Sequence, residues 1–229
     1  MSALAAAERD QMWDLYRRNY DGTTRVRFDE DLADKQQAIL VRDPDGAIQG
    51  FSTLKVWTTA FEGRDIRVVF SGDTIIDPAH WGSQALAFAW LRRAGELRRE
   101  QPHLPLFWFL IVKGPRTYRY LPTFAREYHP SRDAENPMLA RLAAELATHR
   151  YGSQYDPAGG LVRFADSHGH LNGTLAWVSD REARRPDVAY FLSRNPRYML
   201  GDELVCVCEL ADGNLRPIAQ RAFRSKAPG

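Results

Sequence analysis

The chain has 229 residues, 44% of them hydrophobic and 11% aromatic, which suits one domain with a sizeable core and excludes a disordered chain. Its 31 basic and 29 acidic residues leave a formal net charge of +2, so bulk charge does not point to nucleic acid. The longest apolar run is too short to span a bilayer and charges come early at the N-terminus, so a cytoplasmic protein with no membrane span and no secretory signal is expected.

Residues 4–20 have helical spacing, with Met12, Leu15, Tyr16 and Tyr20 on one stripe. A polar, charge-rich loop is expected through Asp34. Three strands then follow, at 38–42, 48–59 and 65–76, separated by a D-P-D-G turn and by Glu62-Gly63-Arg64. Turns this short imply an antiparallel meander.

The next segment, 83–99, places Leu86, Trp90, Ala94 and Leu97 on one side of a helix. Residues 105–112, PLFWFLIV, form the most hydrophobic run of the chain and read as a central buried strand. A meander reaches a fresh central strand through a helix only by a crossover, so this strand is expected to lie parallel to its predecessor. A basic, tyrosine-rich segment follows, KGPRTYRYLPTFAREYHP, then a helix opened by Asn136-Pro137 and running to His149. Strands are expected at 160–164 and 203–210, with short helices at 188–194 and 216–224. The fold class is therefore mixed α/β: a mostly antiparallel sheet with a parallel central pair and helices on both faces. Residues 1–229 read as a single domain, in which 151–229 form a C-terminal part with the last strands and a long insertion.

Cys206 and Cys208 share one face of a strand, a spacing poor for a disulfide, and read as small core residues. His168 and His170 have no obvious third partner, so no metal site is expected.

One stretch gathers chemistry. In residues 71–97, SGDTIIDPAHWGSQALAFAWLRRAGEL, a strand enters a Pro/Gly turn and then a helix N-terminus, which is how backbone amides and a helix dipole come to hold phosphate. Asp73 is a carboxylate within that otherwise apolar strand. This order of elements resembles the GNAT N-acetyltransferase superfamily over residues 10–130. The family loop, typically V-x-P-x-x-R-G-x-G-x-G or A, aligns with 76–86, where Pro78 and Gly82 fit. Trp81 stands where Arg or Gln is usual, and Gln84 and Leu86 replace two later small residues. The runs F-S-G-D-T-I-I-D-P and R-T-Y-R-Y-L-P are similar to GNAT-like proteins that use long acyl chains, such as N-acyl amino acid synthases.

The resemblance implies an N-acyltransferase that moves an acyl group, a long chain among the candidates, from a pantetheine thioester to a small-molecule or peptide amine. The donor is acyl-CoA or acyl carrier protein, which presents the same arm with one phosphate. Ile75, Ile76, Trp81, Gly82, Ser83, Gln84 and Ala85 would hold it, with Lys113 and Arg116 as cationic contacts. Asp73 is the first candidate base, and Gly72 beside it would permit a bulge that re-aims the side chain. His80 is a second candidate, because its pKa lies near neutrality. Either Tyr118 or Tyr120 is the candidate acid for the departing thiolate. Trp57, Trp81, Trp90, Phe107, Trp108 and Phe109 line an acyl tunnel or belong to ordinary core. The alternative is an inactive GNAT-like module that binds an acyl thioester or a protein partner.

Overall fold

The computed structural model describes residues 4–80, 82–165 and 168–225. In chain order the elements are α1 (Ala6–Asn19), β1 (Tyr20–Asp21), α2 (Arg25–Ala33), β2 (Gln37–Arg42), β3 (Ile48–Phe61), β4 (Arg64–Ile76), α3 (Ala85–Glu100) and β5 (Leu106–Val112). They continue with α4 (Pro115–Tyr118), α5 (Tyr120–Phe124), α6 (Pro137–Tyr151), β6 (Tyr155–Asp156), β7 (Leu161–Val162), β8 (His170–Leu171), α7 (Gly173–Ala176), α8 (Asp180–Ala183), α9 (Pro186–Arg194), β9 (Glu203–Glu209) and α10 (Pro217–Arg224).

Seven strands form one sheet in the order β2-β3-β4-β5-β9-β7-β6, and β1 pairs separately with β8. The β3–β4 hairpin turns on Glu62 and Gly63, both at positive φ, which is the backbone twist a two-residue hairpin loop prefers. Every neighbouring pair is antiparallel except β4–β5, which is parallel and joined by α3. This is the mixed, mostly antiparallel sheet with a parallel central pair that the order of elements in the sequence predicts.

Strand alternation divides the core by face. Leu106, Trp108, Leu110 and Val112 of β5 pack with α3 and α10, together with Leu204, Cys206 and Cys208 of β9. Phe107 and Phe109 pack with Val205, Val207 and the buried side of α6 (Leu139, Leu142 and Leu146). Both cysteines are fully buried and unbridged.

Gly95 marks the tightest approach in the first layer. A Cβ there would lie 1.8 Å from the carbonyl oxygen of Phe223 in α10, so the backbones meet where only hydrogen fits. Gly95→Ala gains about 1 kcal/mol of helix propensity, yet it must drive α10 away from α3. A net loss of roughly 1–3 kcal/mol in chemical denaturation is expected.

Two expectations need correction. The segment before Asp34 is a helix, α2, not a loop. Thr24 caps it by accepting from the Arg27 amide at 3.3 Å, and Phe28 and Leu32, one turn apart, are buried against α1 and Phe51. The strand expected at 160–164 keeps only Leu161 and Val162, because Phe164 turns away to stack on His168, with ring centroids 3.7 Å apart.

Candidate active site

The β4–β5 ladder runs only from Arg67–Leu106 to Phe70–Phe109. Past it, β4 continues on β3 to Ile76 and β5 continues on β9 to Val112, so the two strands splay apart. Two cavities meet there. The first, about 430 Å³, lies toward α6 and includes Phe70, Asp73, Ile111, Arg150 and Tyr151 in its wall. The second, about 450 Å³, lies toward α3 and α5 and is lined by Ile75, Ile76, Gly82, Ser83, Gln84, Arg116, Arg119, Tyr120 and Phe124. Tyr20, Thr74, Gly114, Thr117 and Leu171 belong to both walls. The β1–β8 pairing, Tyr20 opposite Leu171, brings two of these shared residues together from distant parts of the chain.

Asp73 sits on a bulge. Ser52 pairs with Thr74 and Leu54 with Ser71, so Thr53 alone faces both Gly72 and Asp73. Glycine is required at 72, because a Cβ would come within 2.6 Å of Thr53 Oγ1 and of Lys35 Cε. Burial pushes the Asp73 carboxyl up to about 7, Asp31 adds to the rise by repulsion and a shared hydrogen bond, and Lys35 and Lys113 oppose it. The other acidic groups of the cavity have close partners. Lys35 holds Asp31 at 2.7 Å, Arg150 holds Asp34 at 2.7 Å, and Lys113 holds the buried Glu203 at 3.2 Å. Burial, then the Asp73 charge, raises the Tyr16 and Tyr20 phenols, so both stay protonated donors at neutral pH.

A consequence for pH can be measured. Removing the Asp31 charge takes away a repulsion and releases Lys35 to favour ionised Asp73. The Asp73 carboxyl, followed by carboxyl-carbon NMR, is therefore expected to titrate about one pH unit lower in Asp31→Asn than in the unmodified protein.

The donor-side residues divide. Ile75, Ile76, Gly82, Ser83, Gln84 and Arg116 all line the second cavity. Gln84 precedes α3 without a side-chain cap, so the first-turn amides of that helix carry no side-chain partner from it. Gly82 adopts φ +99°, a conformation suited to glycine. Ala85 opens α3 but is not in the cavity wall, and Trp81 lies outside the described residues. Arg116 donates to the Leu175 carbonyl at 2.6 Å.

Other expectations are not met. Lys113 belongs to the first cavity, where besides Glu203 it donates to the carbonyls of His168 and Gly169 at 3.1 and 2.8 Å. That occupation takes it away from a donor phosphate. His80 is exposed on a 3₁₀ turn (Pro78–His80) and lines neither cavity. Tyr118 is fully buried between Tyr128, Tyr190 and Phe191, and its hydroxyl donates to the Pro130 carbonyl at 2.8 Å, so it is a core residue. Tyr120 lines the second cavity, and burial raises its phenol. Phe107 and Phe109 are ordinary core, whereas Trp90 and Trp108 wall a third cavity of about 30 Å³ beside the second. Asp31, Tyr16, Tyr20 and Glu203 escaped sequence reasoning. Tyr16, Tyr20 and Asp31 lie on or beside the first two helices and Glu203 opens β9, and nothing local in the sequence connects any of them to Asp73.

No family model matches the chain, and no curated protein matches it by sequence. Two solved structures are similar to it in part. A conserved protein of Enterococcus faecalis V583, described as a probable N-acyltransferase, shares 14% identity over 55% of this chain and 31% of its own, with a TM-score of 0.44. A GNAT family N-acetyltransferase (YhbS) from Escherichia coli, in complex with CoA, shares 14% identity over 51% of this chain and 63% of its own, with a TM-score of 0.39. The chain thus spans about a third of the first structure and less than two thirds of the second.

Proposed function

We propose that this protein is a GNAT-type N-acyltransferase that moves an acyl group from a pantetheine thioester to a small-molecule amine by direct attack. The observation that carries the reading is the pair of cavities on opposite sides of the sheet, joined at the splay beside Asp73. Such a passage lets two substrates approach from separate entrances and meet at one point, which is where proximity lowers the barrier.

In this reading the donor occupies the second cavity, its phosphate at the α3 N-terminus and its arm along the open edges of β4 and β5. The amine enters the first cavity. Its nitrogen attacks the thioester carbon, forming C–N and breaking C–S, so the products are an amide and a free thiol. Asp73 accepts the proton the nitrogen loses, and Tyr120, held neutral, supplies one to the departing thiolate. Both groups then exchange with water. Asp31, Asp34 and Glu203 of the first cavity each have a cation within 3.2 Å, and Asp73, without an ion-pair partner among the described residues, is the carboxylate free to take the proton of the neutral amine. Coenzyme A and acyl carrier protein present the same arm, and the exposed Arg119 at the cavity mouth suits phosphate or an acidic carrier surface.

The test is thiol release from acyl-CoA and from acyl carrier protein in the presence of an amine pool, with the acylated product identified by mass spectrometry. Amine-dependent thiol release is expected. A folded protein that releases none with either donor is the inactive binding module instead.

A further inference from the structure

The third cavity opens off the donor cavity past Thr74, Thr117, Tyr120 and Phe124 and stops against Trp90 and Trp108. That end wall is firmly built. Trp90 is 5% exposed and Trp108 4%. Their ring centroids are 4.3 Å apart, and the Trp108 indole N–H donates to Ser71 Oγ at 2.7 Å. A single water needs about 10–15 Å³ of such space, so the cavity accepts only two or three carbon-sized groups.

An acyl thioester with its carbonyl at the splay has two directions for its tail. The first cavity holds Asp73, Asp31, Lys113 and Glu203, and alkyl carbon there would strip water from charged groups. The third cavity is lined by no charged side chain: Leu86, Ala87, Trp90, Trp108 and Phe124 share its wall with five hydroxyl-bearing residues, and against that apolar part each buried methylene is worth about 0.8 kcal/mol. We infer that the third cavity is the acyl-tail subsite and that Trp90 and Trp108 restrict the donor to short acyl groups, an inference that rests on the transfer reading above. The limit is about four carbons, the carbonyl carbon included. It selects the short end of the range in which the family resemblance leaves a long chain among the candidates. With the tail seated on the α3 side, the carbonyl carbon faces the first cavity, where the amine arrives.

Equilibrium binding tests this without turnover. Acetyl, butyryl, octanoyl and palmitoyl groups are each offered as the coenzyme A and as the carrier-protein thioester, beside the unacylated carriers. Butyryl thioesters are expected to bind about tenfold more tightly than acetyl, as two further buried methylenes require, and octanoyl and palmitoyl at least tenfold more weakly than butyryl. Trp90→Ala should recover octanoyl binding about tenfold with the affinity for unacylated carrier unchanged. Should that variant fail to fold, Trp90→Phe and Ala87→Leu keep the question answerable. The Trp90 N–H is buried without a hydrogen-bond partner, so Phe removes an unpaired donor as it trims the wall. Ala87 lies on the cavity wall, and Leu there should exclude butyryl while sparing acetyl. Equal binding of all four chains, or an unaltered chain-length profile in Ala87→Leu, overturns the inference and leaves the transfer reading standing. Absence of binding by every thioester and carrier overturns both.

Discussion

Asp73→Asn is expected to lower turnover by about 10²–10⁴-fold, the usual contribution of a positioned general base, and to raise the melting temperature above pH 7. The two effects share one cause. In the unfolded chain an aspartate ionises near pH 4, whereas in the folded protein burial and Asp31 hold Asp73 up to about 7. The folded state therefore binds more protons between those values, and stability falls as pH rises through that window. Below pH 4 both states are protonated and the penalty vanishes. Above pH 7 it is fully present, at roughly 2 kcal/mol for a carboxylate that keeps some contact with solvent. Asparagine fills the same volume and never ionises, so the gain should appear at pH 8 and disappear at pH 4. Thermal melts at the two pH values, beside steady-state kinetics, separate this outcome from a simple packing defect. A packing defect would lower the melting temperature at both.

Phe109→Ala is expected to cost about 3–5 kcal/mol, the largest stability loss of any single change considered. Phe109 has no exposed surface and packs on Phe70, with ring centroids 5.6 Å apart. These two residues also form the last pair of the parallel ladder, so the cavity left by alanine opens where β4 and β5 begin to part. For a chain of this size the melting temperature should fall by about 6–20 °C. Denaturant titration should show a lower midpoint with an unchanged slope, since the surface exposed on unfolding stays nearly the same. In the proposed reading donor affinity should fall as well, because the strand edges assigned there to the pantetheine arm spread from this pair.

The sheet was largely legible because its information is local and periodic. PLFWFLIV reads as a buried strand from eight residues, and its parallel pairing follows from the helix that precedes it. That Ile75, Ile76, Gly82, Ser83 and Gln84 line one cavity was legible for the same reason, as they lie close together in the sequence around a Pro/Gly turn. The first cavity was not. Asp31 reaches Asp73 only because α2 folds, and its sequence reads as a loop since Phe28 and Leu32 are its only buried apolar anchors among charges. Tyr20 and Leu171 come together through two-residue strands, too short to leave a periodic signal. Tyr118 failed as a candidate because Pro122 obscures the register of the segment, and only packing decides which tyrosine turns inward. Lys113 looked like a phosphate contact until Glu203, ninety residues on, appeared beside it.

The parallel seam has a mechanical consequence. β4 is paired with β3 at eleven positions and β5 with β9 at six, but β4 and β5 are paired with each other at four. The sheet is thus two plates joined along a short weld, with an unsealed gap beyond it. A ligand whose amides bridge that gap lengthens the weld. Amide deuterium uptake at 71–76 and 110–112 should then slow in concert when donor binds, while the outer β2–β3 hairpin continues to exchange at its own pace.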